Sequence, residues 1–143
     1  MALGEAAALA VAQRELGAAG RIEAQRDRLE AAVIARIPGA HPTVWGAPRA
    51  PHITSLAFPD LPAEPLLHAL EARGVFVSAG AACASRSRGP SHVLKAVGVD
   101  ERTAVLRFSL SRATTDAEID GAVVALIEAV AEIAPMAKRR AER

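Results

Sequence analysis

Residues 103–121, TAVLRFSLSRATTDAEIDG, hold the transition that decides the fold. Thr103 to Leu110 alternates apolar and polar side chains with the period of a strand. Five residues later Thr115-x-x-Glu118 forms a capping box, and Ile119, Val123, Leu126, Ile127, Val130 and Ile133 then recur at helical spacing until Pro135, which is expected to stop the helix. Working outward, Ser91–Val97 reads as a two-turn helix closed by Gly98, and Val75-Phe76-Val77 as a short strand. Asp60 is the expected N-cap of a helix carrying Leu66, Leu67 and Leu70, with Pro62 in its first turn and Gly74 at its end. His52–Phe58 has a strand's length, and a further short strand is expected around Val44-Trp45. Residues 2–37 are helical in pattern, with Gly17 and Gly20 bending or splitting the run and Pro38-Gly39 ending it.

This order predicts an α+β fold: a small mixed or antiparallel sheet of about four strands with helices on one face. One domain is expected over residues 1–137, made of a long N-terminal helix 2–37 and an α/β sandwich 40–134, followed by a basic tail at 138–143. At 143 residues the chain has the size of one domain. Its core must come from Ala, Val, Leu and Ile, because it holds 34 Ala but only three Phe, one Trp and no Tyr.

The formal charge of +1 is an effect of the tail, which sums to +3 and leaves the other 137 residues at −2. A weakly acidic body with few aromatics lacks the basic stripe and stacking rings of a nucleic-acid binder. No apolar run approaches a membrane span, no basic segment precedes the apolar N-terminus, and a single cysteine permits no internal disulfide; a cytoplasmic location is the expectation.

That cysteine, Cys83, lies in Ser78-Ala79-Gly80-Ala81-Ala82-Cys83-Ala84-Ser85, between an apolar strand and Arg86 and Arg88. A lone cysteine is ordinarily a small buried hydrophobe. Here a loop of Gly, Ala and Ser gives little apolar cover, and two guanidinium groups favour the thiolate, so the residue reads as a nucleophile. His41, His52 and His68 lack ligand spacing and read as structural, as does His92 on its short helix; no metal is expected.

Four blocks, VSAGAACAS (77–85), GPSHVLKAVGV (89–99), LRFSLSR (106–112) and TTDAEID (114–120), together resemble the C-terminal small domain of the cysteine desulfurases, NifS-like enzymes of aminotransferase class V. The usual form of the first block in that family is close to VSSGSACSS; Ser78, Gly80 and Ala82 match it, whereas Ala79, Ala81 and Ala84 stand where hydroxyl residues are common. Even Ala-Leu-Gly-Glu-Ala at 2–6 is similar to the helix that enters the small domain in that family.

The resemblance implies the small-domain fold of fold-type I pyridoxal-phosphate enzymes. It assigns Cys83 as the persulfide-forming nucleophile that takes sulfur from L-cysteine and releases alanine, for iron–sulfur cluster or thio-cofactor synthesis. It assigns Arg107 to the substrate carboxylate and Ser78, Gly80, Ala82 and Ser85 to support of the catalytic loop; Arg112 is given only a structural role. Pyridoxal 5'-phosphate is the family's cofactor, held through a Schiff-base lysine in a large domain. This chain alone is not expected to bind it, since its lysines, Lys95 and Lys138, stand on a helix surface and in the tail.

Three accounts therefore remain open. The chain contributes Cys83 and Arg107 to a site completed by a large cofactor-binding domain or a full-length desulfurase; or it is a free-standing persulfide carrier or dimerisation module; or it is a remnant without activity. Self-association and a sulfur-acceptor protein are further expected partners.

Overall fold

The computed structural model describes residues 6, 9–11, 13, 16–44, 46–79, 92–100 and 102–141. A 3-10 turn at Leu16–Ala18 leads into helix α1 (Ala19–Arg36). The glycine at position 17 thus falls where the pattern of residues 2–37 changes helix type, and α1 proper starts one residue before Gly20. There follow β1 (His41–Pro42), β2 (Ile53–Phe58), α2 (Ala63–Glu71), β3 (Ser78–Ala79), α3 (His92–Ala96), β4 (Ala104–Ser109) and α4 (Asp116–Ala141).

The four strands form one sheet in the order β1-β2-β4-β3, with every pair antiparallel. Strands β2 and β3 therefore run parallel with β4 inserted between them, and α2 crosses from one to the other, a split β-α-β arrangement. The α+β sheet expected from sequence is present in its wholly antiparallel form.

Alternation explains the layers. Thr54, Leu56 and Phe58 on β2 pair with Phe108, Leu106 and Ala104 on β4, all six buried. Except for Thr54, they join one apolar cluster with Leu29, Val33 and Ile37 of α1, Leu66 and Leu70 of α2, and Ile119, Val123, Leu126 and Ile133 of α4. Three helices thus cover one face of the sheet. Burying a leucine of this kind is worth about 1.5–3 kcal/mol, so this face supplies most of the driving force for folding.

Thr54, 1% exposed, points its polar group into the same layer and donates to Glu30 Oε2 at 2.8 Å. Arg49 completes that carboxylate with two hydrogen bonds, at 2.8 and 3.0 Å, which tie the segment before β2 to α1. Arg26, also buried, donates to the Ala50 carbonyl at 3.0 Å and pairs with Asp27 and Glu23. A second tie holds α1 to the start of α4: Arg21 donates to the carbonyls of Arg112 and Thr114, Gln25 to Asp116 and Thr114, and Arg28 to Asp120.

Several expectations are corrected. Asp60 is not a cap: it occupies a turn at φ 60°, and α2 starts after its N-cap residue Pro62, whose side chain has no oxygen with which to cap the helix. The strand expected at 75–77 lies at Ser78–Ala79, because Val75 and Val77 pack against the core from irregular backbone while only the next two residues meet β4. The first short strand is His41–Pro42 rather than residues 44–45; Trp45 lies outside the described residues. Pro135 does not stop α4, which runs on to Ala141 and takes in the first part of the expected tail. Gly74 and Gly98 do close α2 and α3, at φ 76° and 79°, the left-handed conformation that glycine adopts without a Cβ clash.

Candidate functional site

Position along the antiparallel ladder assembles the site. Ser55 lies opposite Arg107, and Arg107 lies opposite Ser78. On the other side of Ser55, Thr43 donates its amide to the Ser55 carbonyl at 2.9 Å and its hydroxyl to the same oxygen at 3.4 Å. Ser55, Arg107 and Ser78 are thus one row across β2, β4 and β3, continued by Thr43 just past the end of β1, on the face away from the helices, since their neighbours Leu56, Leu106 and Phe108 face the core. All four are half-buried.

The Leu110 amide donates to the His52 carbonyl at 2.7 Å, so 52 and 110 form a hydrogen-bonded pair. Alternation along the ladder then makes Ser55 and Arg107 a non-hydrogen-bonded pair, the type that brings side chains closest. Across the other edge, Arg107 Nη2 donates to Ser78 Oγ at 3.4 Å. Among the described residues, Arg107 Nε is buried and has no hydrogen-bond partner. A buried unpaired donor is costly and uncommon, which marks this guanidinium as held for something other than packing.

Of the residues singled out from sequence, Arg107 and Ser78 are thus brought together. Cys83, Gly80, Ala82 and Ser85 lie outside the described residues; in the chain, Cys83 follows Ala79, the last residue of β3, by four positions. Thr43 and Ser55 were not foreseen as members of the row. Ser55 stands in an alternating strand, but only the pairing of β2 with β4 shows that it faces Arg107.

Elsewhere, His68 contacts Glu71 and His41 its own turn at Gly39, and among the described residues no group of His, Cys, Asp or Glu could hold a metal ion. Likewise, no described helix is long and apolar enough to cross a membrane. An open apolar groove of about 1240 Å³, lined by Ile37, Phe58, Leu61, Val130 and Ile133 among others, includes none of the row and is separate from it.

Residues 1–121 match the aminotransferase class-V family, and the chain belongs to it. It is 43% identical over 122 residues to a cysteine desulfurase of Cereibacter sphaeroides, covering 82% of this chain and 30% of that protein. It is 39% identical over 116 residues to the cysteine desulfurase NifS of Azotobacter vinelandii, covering 78% of this chain and 28% of that one. Among solved structures, a NifS-like protein superposes with a TM-score of 0.71 at 28% identity, over 86% of this chain and 31% of the other. A NifS-like protein from Rickettsia africae gives 0.66 at 25% identity, over 78% and 28% of the two chains. The chain thus spans about a third or less of the length of these relatives.

The family is in general pyridoxal-phosphate-dependent. The described residues do not fit that group as a Schiff-base site. Lys95 is exposed on a five-residue helix and does not belong to the row around Arg107, and Lys138 falls in the last turns of α4.

Proposed function

We propose that this chain supplies the sulfur-accepting part of a cysteine desulfurase: Cys83 receives sulfur from L-cysteine as a persulfide, and Arg107 grips the substrate carboxylate. The observation that carries the reading is the partly buried guanidinium of Arg107, hydrogen-bonded to Ser78 on the strand from which the Cys83 segment continues. A guanidinium offers a carboxylate two parallel charge-assisted hydrogen bonds, where an ammonium makes a point contact.

In the step assigned to this chain, the Cys83 thiolate forms an S–S bond to the substrate sulfur while the substrate C–S bond breaks. The electron pair of that bond leaves with the carbon skeleton, which departs as alanine after protonation. Pyridoxal phosphate, supplied by a large domain or a full-length desulfurase, provides the electron sink for this chemistry. Arg86 and Arg88, three and five residues beyond Cys83, favour the thiolate form needed for attack. The persulfide then passes to an acceptor protein for iron–sulfur cluster or thio-cofactor synthesis.

Reconstitution tests the reading. The full chain is mixed with a desulfurase truncated before its small domain and loaded with pyridoxal phosphate, and alanine release from L-cysteine is followed. Alanine should form only when both polypeptides are present, and Cys83→Ser should abolish it. No release from the mixture, combined with transfer of one sulfur atom to Cys83 from an intact desulfurase, would replace this reading with that of a persulfide carrier. Sulfur that still reaches the Cys83→Ser chain would defeat both.

A further inference from the structure

We infer that Ser78 is a positioning residue for Arg107, its hydroxyl fixing the guanidinium so that the terminal Nη1/Nη2 edge, and not the Nε edge, takes the carboxylate. The inference rests on the reading of Arg107 given above and adds to it the mode of binding and the residue that sets it.

The geometry follows from the donors. Arginine presents five N–H groups, and a carboxylate engages two at once, through either Nε with one Nη or the two Nη atoms. Among the described residues Nε of Arg107 is buried and without a partner, so an anion arriving from solvent cannot use the first edge without uncovering it. Nη2 carries two hydrogens, so its contact with Ser78 Oγ leaves one of them, beside the two of Nη1, for a ligand.

At 3.4 Å the contact with Ser78 is long and its acceptor is neutral, so it orients the group without competing with a charged ligand. Direct cross-strand pairing keeps the hydroxyl in place, because a residue opposite its partner on an antiparallel pair has its Cβ within about 4.5–5.5 Å of it. Ser78 also begins the short strand from which the chain proceeds to Cys83, so one residue is shared by the carboxylate grip and the segment bearing the nucleophile.

The test uses the full chain and L-alanine as probe, followed through the Nε–H signal of Arg107 in proton–nitrogen spectra, assigned by its loss in Arg107→Lys. Ser78→Thr keeps the hydroxyl, and Ser78→Val matches the shape of threonine without it; the backbone amide spectrum reports that each variant is folded. Wild type and Ser78→Thr should show a saturable shift of the Arg107 signal with similar affinity. Ser78→Val, and Ser78→Ala as a second hydroxyl-free variant, should bind about fivefold more weakly, the scale of one lost hydrogen bond. Equal affinity in Ser78→Val and Ser78→Thr would overturn the positioning role while leaving Arg107 as the carboxylate ligand. Absence of any shift in the wild type would overturn both.

Discussion

Glu118 accepts the Thr115 amide at 2.7 Å and its hydroxyl at 2.9 Å, and the Thr115 hydroxyl in turn accepts the Glu118 amide at 3.2 Å. The Thr115 backbone first, then its side chain, holds the Glu118 carboxyl below its ordinary value against the opposing effect of burial. An acid depressed in the folded state stabilises the fold above its unfolded pKa, about 4.3 for glutamate, and that stabilisation is lost as pH falls through the lower folded value. Wild type should therefore melt above Glu118→Gln at neutral pH, and the gap should close below about pH 4, as thermal unfolding by circular dichroism can show. A gap unchanged in acid would mean that the charge of Glu118 contributes nothing. This box was legible in four consecutive residues because it needs only local geometry. The row around Arg107 was not, since its members come from positions 43, 55, 78 and 107 and meet only through strand pairing.

At the scale of elements, α4 shows packing overriding local preference. Pro135 removes one backbone hydrogen bond and crowds the preceding turn, which ordinarily costs about 3 kcal/mol in a helix interior. The helix nevertheless continues, with Ile133 in the core and Ala134 and Ala137 packed against it. Pro135→Ala should then raise the melting temperature by restoring that bond, an increase worth about 1–3 kcal/mol once the greater freedom of the unfolded chain is subtracted. A lower melting temperature would show that the distortion at Pro135 is itself required by the packing. The same contest explains the shift of β3: the apolar run 75–77 has a strand's composition, yet its valines serve the core and pairing begins at Ser78. Composition identified the apolar segment, and the neighbouring strand set where the ladder starts.

At the scale of the whole molecule, large apolar side chains remain outside the core: Phe76 is 82% exposed and Leu9 63%. Phe76 stands two residues before β3, an edge strand of only two residues, so apolar surface lies beside a sheet edge. Monomeric domains rarely leave such features uncovered, and edges without protection invite pairing. Light scattering on the purified chain should report a dimer or larger species, shifted toward monomer by Phe76→Ser; a wild-type monomer at all concentrations would contradict this expectation.

What the sequence determined by itself is the local and the chemical: the capping box, the helix ends at Gly74 and Gly98, the alternation of β2 and β4, and the motif blocks that place the chain among class-V enzymes. These depend on residues a few positions apart or on residue identity alone. Tertiary structure decided the strand order, the layer in which Thr54 meets Glu30, and the placing of Ser55, Arg107 and Ser78 side by side with one guanidinium nitrogen that is buried and, among the described residues, unpaired. Those are relations between segments far apart in the chain, and hydrogen-bonded pairing with shared burial of their apolar faces is what brings such segments together.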